Sequence, residues 1–530
     1  MKRLLFILTT AAALFTAACG GGGGSNVQPP PPTGKYSLAS LNGTYAFTTS
    51  GEVVTAAGES PLARVGSFIS NGQGSIMGGI EDVVLPNQLN SIGTITGGSY
   101  TMASNGFGTV TLNVTSGGVP ATLSFAITLT STSGGLLTDV TSTQSQASTG
   151  SGNFFLQDEA DCSSPVSSVS GSYVFDFSGL NASGAPVSLI GEFTVSNGTI
   201  TTGFSDANVD EALTNGAISG SFMLDGTTPA SATSCGRGVA TIASQEYEFY
   251  VVDSTRIRFI STVDGAMLTG DAVVQSANVP TSTASFNGGF VFSLAGSSNN
   301  GAITEIGRFS ASGGNASDVL ADVDNAGELH PSSAFSGGTI TFDPANPGRG
   351  TITFTNNSFP FTFTFYLSSA TSGVIQDTSL SAAGPGNGVD IVDGSIAGQS
   401  GSPFSSSNIT GTYAMNWSGL VTNGGAGITD EEDLVAQENI SSLGLSGAAD
   451  LYQFTSTTGL APQINLGVGG SISIPGDGAG DDGQRNVMTV DLTGANAITF
   501  VIYFVNPQQA FFAISNGQTH LDSGVLLLQQ

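Results

Sequence analysis

Few side chains in this sequence are suited to making or breaking bonds. The 530 residues include three cysteines and two histidines. His330 and His520 stand alone in their neighbourhoods and read as surface residues rather than catalysts. No Gly-x-Ser-x-Gly elbow, His-Glu-x-x-His or Cys-x-x-Cys occurs. Gly478-Ala-Gly480-Asp-Asp-Gly483 matches a dinucleotide loop in letters alone, since Asp481 and Asp482 would repel a pyrophosphate. Carboxylates are the remaining chemistry. Asp322-Val-Asp324-Asn-Ala-Gly327-Glu328 alternates acids before a Gly, and Asp477 to Asp482 is a Gly/Asp loop. Asp322, Asp324, Asp477 and Asp481 are therefore the candidate ligands for Ca2+, which takes six to eight oxygens. Ser333 stands where an EF-hand loop needs its bidentate Glu, so solvated loops are favoured over a calcium site and no other cofactor is expected. Glu81-Asp82 and Asp206 sit at related places and suggest a repeated loop cap, while Asp430-Glu-Glu-Asp433 is a charge run. Paired carboxylates also hydrolyse glycosides, but one Trp is poor material for sugar platforms, and a non-enzymatic protein is expected.

Ten Lys and Arg face 39 Asp and Glu, a formal net charge of −29. Such charge repels phosphate, so no nucleic acid and no anionic membrane surface is an electrostatic partner. Apolar residues make up 39% and alternate with Ser and Thr, enough for a folded chain rather than a disordered one.

Met1-Lys2-Arg3 is a basic start, and Leu4 to Phe15 is an apolar run too short to span a bilayer as a helix. Thr16-Ala17-Ala18-Cys19 follows and resembles the lipobox of bacterial lipoproteins, with Thr16 where Leu is commoner. The resemblance implies a signal peptide over 1–18 and lipidation of Cys19. With Gly20 rather than Asp next, it implies an outer-membrane lipoprotein, periplasmic or surface-exposed. Gly20 to Gly24 and Pro29 to Pro32 make 19–40 a tether, flexible and then extended. The lipid anchor gives the membrane as partner; the sequence names no protein or glycan partner.

Four segments open alike: Leu41-Asn-Gly-Thr-Tyr-Ala-Phe47, Val169-Ser-Gly-Ser-Tyr-Val-Phe175, Phe286-Asn-Gly-Gly-Phe-Val-Phe292 and Ile409-Thr-Gly-Thr-Tyr-Ala-Met415. Each closes on a Gly followed five residues later by Gln: Gly152/Gln157, Gly270/Gln275, Gly394/Gln399 and Gly524/Gln529. Between them lie a Gly-x-Phe landmark (Gly66 to Phe68, Gly191 to Phe193, Gly307 to Phe309) and a Gly-x-Gly landmark at Gly106, Gly236 and Gly348. The fourth segment lacks the first of these, and its version of the second has decayed to Gly483-Gln-Arg-Asn486. The opening glycines are 128, 117 and 123 residues apart, too far for a solenoid unit, so each segment is a whole module. The expected modules span 41–158, 169–276, 286–399 and 409–530.

Tyr173, Phe175 and Phe177 alternate with Val174, Asp176 and Ser178, and Phe361, Phe363 and Phe365 alternate with Thr362 and Thr364. Period two marks strands with their aromatics on one face. Short turns such as Ser196-Asn-Gly198 separate about eight such runs per module. The expected fold is all-β: four tandem up-and-down barrels, closed so that no edge is left unpaired. The opening motif resembles the Gly-x-Trp start of lipocalin and avidin-like barrels. The alternative is an immunoglobulin-like sandwich. The whole chain also resembles tandem-module lipoproteins of acidobacterial type. The resulting expectation is a lipid-anchored envelope protein for adhesion or structural display. Lipocalin-like carriage of a small apolar ligand is the alternative, with Tyr45, Phe47, Phe175, Phe292 and Trp417 facing the interior, and a carbohydrate-active enzyme is a third possibility. Cys162 and Cys235 form a candidate disulfide. Cys235 precedes the fifth strand of module two, and the entry segment carrying Cys162 can cross to the same rim.

A thioether-linked lipid needs the Cys19 sulfur. Cys19→Ser is expected to move the protein from the membrane fraction to the soluble one, measured by immunoblot of fractionated cells.

Overall fold

The computed structural model describes residues 35–55, 58–85, 90–142, 147–225, 235–335, 337–356, 359–379, 390–422, 428–455, 459–474, 485–494, 497–514 and 520–530. Cys19, Asp477 and Asp481 lie outside them. Four closed, eight-stranded antiparallel barrels follow one another. Barrel 1 runs from the strand Asn42–Thr55 to Ala147–Leu156, and barrel 2 from Gly171–Leu180 to Met267–Val274. Barrel 3 runs from Gly288–Ser298 to Ile391–Gly398, and barrel 4 from Gly411–Thr422 to His520–Leu528. Each strand pairs with its sequence neighbour, and the first pairs with the last; the expected up-and-down order is present and the sandwich alternative is not. In barrels 2 and 3 the fourth strand is broken, into Ala212–Ala217 and Gly220–Leu224 and into Glu328–Ala334 and Gly338–Phe342. In each case the first piece pairs outward along the third strand and the second piece continues the barrel.

The repeated glycines are packing requirements. A Cβ at Gly66, Gly191 or Gly307 would strike the ring of Phe47, Phe175 or Phe292 on the neighbouring first strand. In barrel 4 the opening residue is Met415, and the paired position is Ala436. The Gly-x-Phe landmark is therefore represented there by Ala436-Gln437-Glu438, which keeps its register and loses its letters. Gly152, Gly270, Gly394 and Gly524 mark where the eighth strand closes on the first, with no room for a Cβ against the first strand's carbonyls.

The barrels form a closed ring through contacts that repeat. Asp82 on the third strand of barrel 1 accepts from Arg237 Nε (2.9 Å) and Nη2 (3.0 Å) and from the Tyr250 hydroxyl (2.5 Å) of barrel 2. Asp206 of barrel 2 accepts likewise from Arg349 (2.8 and 2.7 Å) and Tyr366 (2.6 Å) of barrel 3. Asp322 of barrel 3 accepts from Arg485 and Tyr503 of barrel 4. These acids are buried, and they join neighbouring barrels rather than capping a solvated loop. The same strands bring apolar groups together beside each clamp, as Val65 and Ile80 meet Tyr250 and Ile260.

The closing glutamines repeat too. Gln157 Nε2 donates to the carbonyls of Cys235 and Val251, Gln275 to those of Pro347 and Leu367, and Gln399 to that of Phe504. Gln529 of barrel 4 donates to the carbonyls of Asn105 and Leu129 in barrel 1, which completes the circle. That last junction lacks the clamp, because barrel 1 has Phe107 and Thr128 in register with the Arg and Tyr. It is held instead by Asp433 accepting from Thr149 (2.8 Å) and Ser151 (2.6 Å), and by Asn105 donating to Gln437 (3.0 Å).

The segment between barrels 1 and 2 carries two short helices, Glu159–Ser163 and Pro165–Ser168. Asp158 caps the first by accepting from the amides of Ala160 and Asp161. Cys162 and Cys235 form a disulfide, with Cα atoms 5.0 Å apart, that ties this segment to the rim of barrel 2.

Removing one partner of a buried ion pair strands the other charge. Arg349→Met is expected to destabilise the junction of barrels 2 and 3 by about 3 kcal/mol. Adding Asp206→Asn is expected to recover more than half of the lost denaturant midpoint.

Candidate functional site

Side chains alternate between the two faces of the barrel wall. One stripe of each strand fills its barrel. Tyr45, Phe47, Phe175, Phe292 and Trp417 all face inward and are 0–1% exposed. Tyr45 stacks on Phe68 (5.7 Å between centroids), Phe175 lies against Phe177 (4.8 Å), Phe292 against Phe363 (5.9 Å) and Trp417 against Phe500 (5.0 Å). These rings are the barrel cores. Where barrels meet, the other stripe is buried between them; elsewhere, as along Ser91–Met102, it is exposed. Val291, Ile306 and Tyr503, for example, share one cluster across the junction of barrels 3 and 4.

A cavity of about 390 Å³ lies between barrels 1, 2 and 3 rather than inside one of them. It is lined by Thr48, Asp176, Arg256, Asp271, Ser368 and Asp393 among others. Arg256 pairs with Asp271 at 2.7 Å. Burial, with Asp393 and Asp271 nearby, raises the Asp176 pKa well above the usual range, and burial raises that of Asp393 to about 7. Val174, Val273 and Val374 line it beside the three carboxylates, so the cavity is mixed in character and acidic.

All linkers leave from the end of an eighth strand and enter the start of a first strand, so they share one end of the barrels. Residues 35–41 enter there as well. The Tyr36 hydroxyl donates to the carbonyls of Gln530 (3.0 Å) and Thr130 (3.3 Å). The opposite, distal ends hold buried ionisable groups inside three barrels. In barrel 1, Arg64 reaches Glu81 and Asp139, each at 3.4 Å. In barrel 4, His520 Nδ1 lies 3.4 Å from Glu432 and 3.5 Å from Asp522, and Glu432 accepts from the Trp417 indole (3.1 Å). Burial alone would lower the His520 pKa, but Asp522 and Glu432 raise it to about 10, so the ring is an imidazolium. His520 is thus an inward-facing member of a cluster rather than a surface residue; Asp522 is two positions away in sequence, but Glu432 is 88 positions away and is brought in by the pairing of the first strand with the second and the eighth. In barrel 3, Glu305, Asp377 and Asp390 converge, each with an oxygen within 4.8 Å of the others. Glu81 and Glu432 stand out in the sequence only as parts of acidic runs, and Arg64, Asp139, Asp522, Glu305, Asp377 and Asp390 do not stand out at all, because only barrel closure assembles these groups.

Of the sequence-derived ligand candidates, Asp322 is committed to the clamp. Asp324 is 2% exposed and accepts from the Gly327 amide at 2.8 Å. His330 is partly exposed, with Glu328 at 3.9 Å.

The fold and its junctions define a ring of four barrels whose ionisable side chains serve mainly to join barrels and fill their distal ends. No family model matches the chain, and no curated protein matches it. Among solved structures, a transferrin-binding protein B double mutant from Haemophilus parasuis is similar over 75% of this chain and 82% of that one, at 12% identity and TM-score 0.20. Kievitone hydratase from Nectria haematococca matches over 70% and 93%, at 9% identity and TM-score 0.17. A putative AttH from Nitrosomonas europaea matches over 68% and 93%, at 9% identity and TM-score 0.17.

Burial raises Asp433 to about 6 and Asp393 and Asp522 to about 7. An unfolded chain releases these protons near pH 4, whereas the folded chain holds them until pH 6 to 7. Stability from these groups is full below pH 4 and falls as pH rises through their folded values. His520, raised from 6.5 to about 10, adds stability that is lost as pH rises through 10. The melting temperature is expected to be higher at pH 5 than at pH 7.5, and Asp433→Asn is expected to shrink that difference.

Proposed function

We propose that this chain is a non-enzymatic, lipid-anchored envelope protein that displays a rigid ring of barrels for adhesion or structural support. One observation carries the proposal: the three Asp–Arg–Tyr clamps and four glutamine contacts fix the barrels into one ring whose linker end also receives the tether. Such a body holds its opposite face away from the anchoring surface. Its strongest polar contacts are spent between barrels, and among the described residues no pair of them presents a nucleophile and base to a cleft. The packed aromatic interiors favour display over carriage of an apolar ligand. No helix among the described residues is long and apolar enough to cross a membrane.

The experiment is surface labelling of intact cells that produce the protein with an epitope inserted at Gly117-Gly118, a hairpin tip with open space around it. Antibody staining of intact cells, together with reduced attachment or raised detergent sensitivity in the deletion strain, is the expected outcome. Staining only after permeabilisation, with attachment and detergent sensitivity unchanged on deletion, would overturn the proposal.

A further inference from the structure

The three distal clusters differ in one respect. Barrel 1 places Arg64 at the second-strand position that precedes Val65, and its guanidinium answers Glu81 and Asp139. Barrel 4 places His520 at the start of its eighth strand, and its imidazolium answers Glu432 and Asp522. In barrel 3 both corresponding positions are acids. Glu305, which precedes Ile306, takes the place of Arg64, and Asp390, just before the eighth strand, takes the place of His520. Asp377 stands in register with Asp139. Barrel 3 therefore keeps the carboxylate of Asp139 as Asp377 and places acids where barrels 1 and 4 have their internal cations.

Glu305 is 3% exposed, and its Oε1 has no hydrogen-bond partner while pointing into the cluster. Asp390 is 2% exposed, and its Oδ1 is likewise without a partner. Asp377 accepts from the Ser379 amide at 2.7 Å, which fixes its carboxylate. Three carboxylates this close, away from water, repel one another strongly unless protons or a cation intervene. Among the described residues, the lysine and arginines are placed elsewhere. Arg237, Arg349 and Arg485 form the clamps, and Arg64 fills barrel 1. Arg256 pairs with Asp271, and Arg258 lies over the Phe155 ring. Arg308 is on the opposite face of its strand from Glu305 and donates to Ser310, and Lys35 lies over Tyr36.

We propose that Glu305, Asp377 and Asp390 bind a divalent cation, Ca2+, inside the distal end of barrel 3. Calcium is bound by oxygens at 2.3–2.6 Å, so ligands on opposite sides of the ion stand about 4.8 Å apart, the spacing within which these oxygens lie. Three carboxylates offer up to six oxygens, and an all-oxygen set selects a hard cation over zinc or copper. The ion stands where barrel 1 has a guanidinium.

The test is calorimetric titration of the full-length protein, stripped with chelator, with CaCl2, alongside its melting temperature with and without the ion. Saturable binding with one Ca2+ removed by Glu305→Gln, and a melting temperature raised by Ca2+ in the wild type only, is expected. The affinity at this site should fall at least 10-fold in Glu305→Gln. Glu305→Arg returns a guanidinium to the position that holds one in barrel 1, beside Asp377 and Asp390. It is expected to fold, to melt in chelator at or above the wild-type temperature, and to lose the calcium response. No binding to the wild type, or binding unchanged in both variants, would overturn the proposal.

Discussion

A buried carboxylate must find a positive partner or keep its proton, and this chain supplies ten basic residues for 39 acidic ones. Where the arginines are placed thus decides the architecture. Three of them join successive barrels, each gripping an Asp whose remaining lone pairs are met by a tyrosine hydroxyl. Burial and the adjacent Asp82 raise the pKa of Tyr250, so its hydroxyl stays a donor. The clamp is bidentate and planar, which fixes orientation as well as contact. With barrel exteriors pinned in this way, small and β-branched residues such as Ala63, Val65 and Ile306 are buried against the neighbouring barrel.

Much of the barrel architecture is legible in the sequence because period two survives every substitution of individual residues. Tyr173, Phe175 and Phe177 announce the interior face of barrel 2 by alternation alone. The glycines and glutamines are legible as landmarks, but their purposes are not. Gly307 is explained only when the Phe292 ring is seen to occupy its Cβ position, and Gln275 only when its amide reaches into barrel 3. The decayed Gly483-Gln-Arg485 landmark also kept its essential letter, the arginine that grips Asp322.

The acidic sites were harder to read for a physical reason. A metal or ion-pair motif is conspicuous when its ligands share a loop, which is why Asp322 and Asp324 drew attention. On a barrel wall, ligands come from strands two and seven and the entry to strand eight, and Glu305, Asp377 and Asp390 are spread over 85 positions, each flanked by uncharged residues. The partner of Asp322 was equally distant, in the next barrel. Glu438 shows the same difficulty in another form. It occupies the place of Phe309 inside barrel 4, fully buried, and burial raises its pKa well above the usual range, so its carboxyl sits among apolar side chains as a neutral acid.

The junctions are head-to-tail: the third-strand face of one barrel meets the fifth- and sixth-strand face of the next. A heterologous contact either closes on itself or propagates without end. Here four copies complete a turn, and the last Gln returns to the first barrel, while Tyr36 bonds the carbonyl of Gln530. The covalent linkers therefore add connection to a geometry that the interfaces already impose. A single module carrying both halves of the clamp would have the surface of a cyclic homotetramer. In that light the fused chain is a tetramer whose subunits have been free to diverge, so that one seam trades its arginine for Phe107 and one interior trades its cation for Glu305.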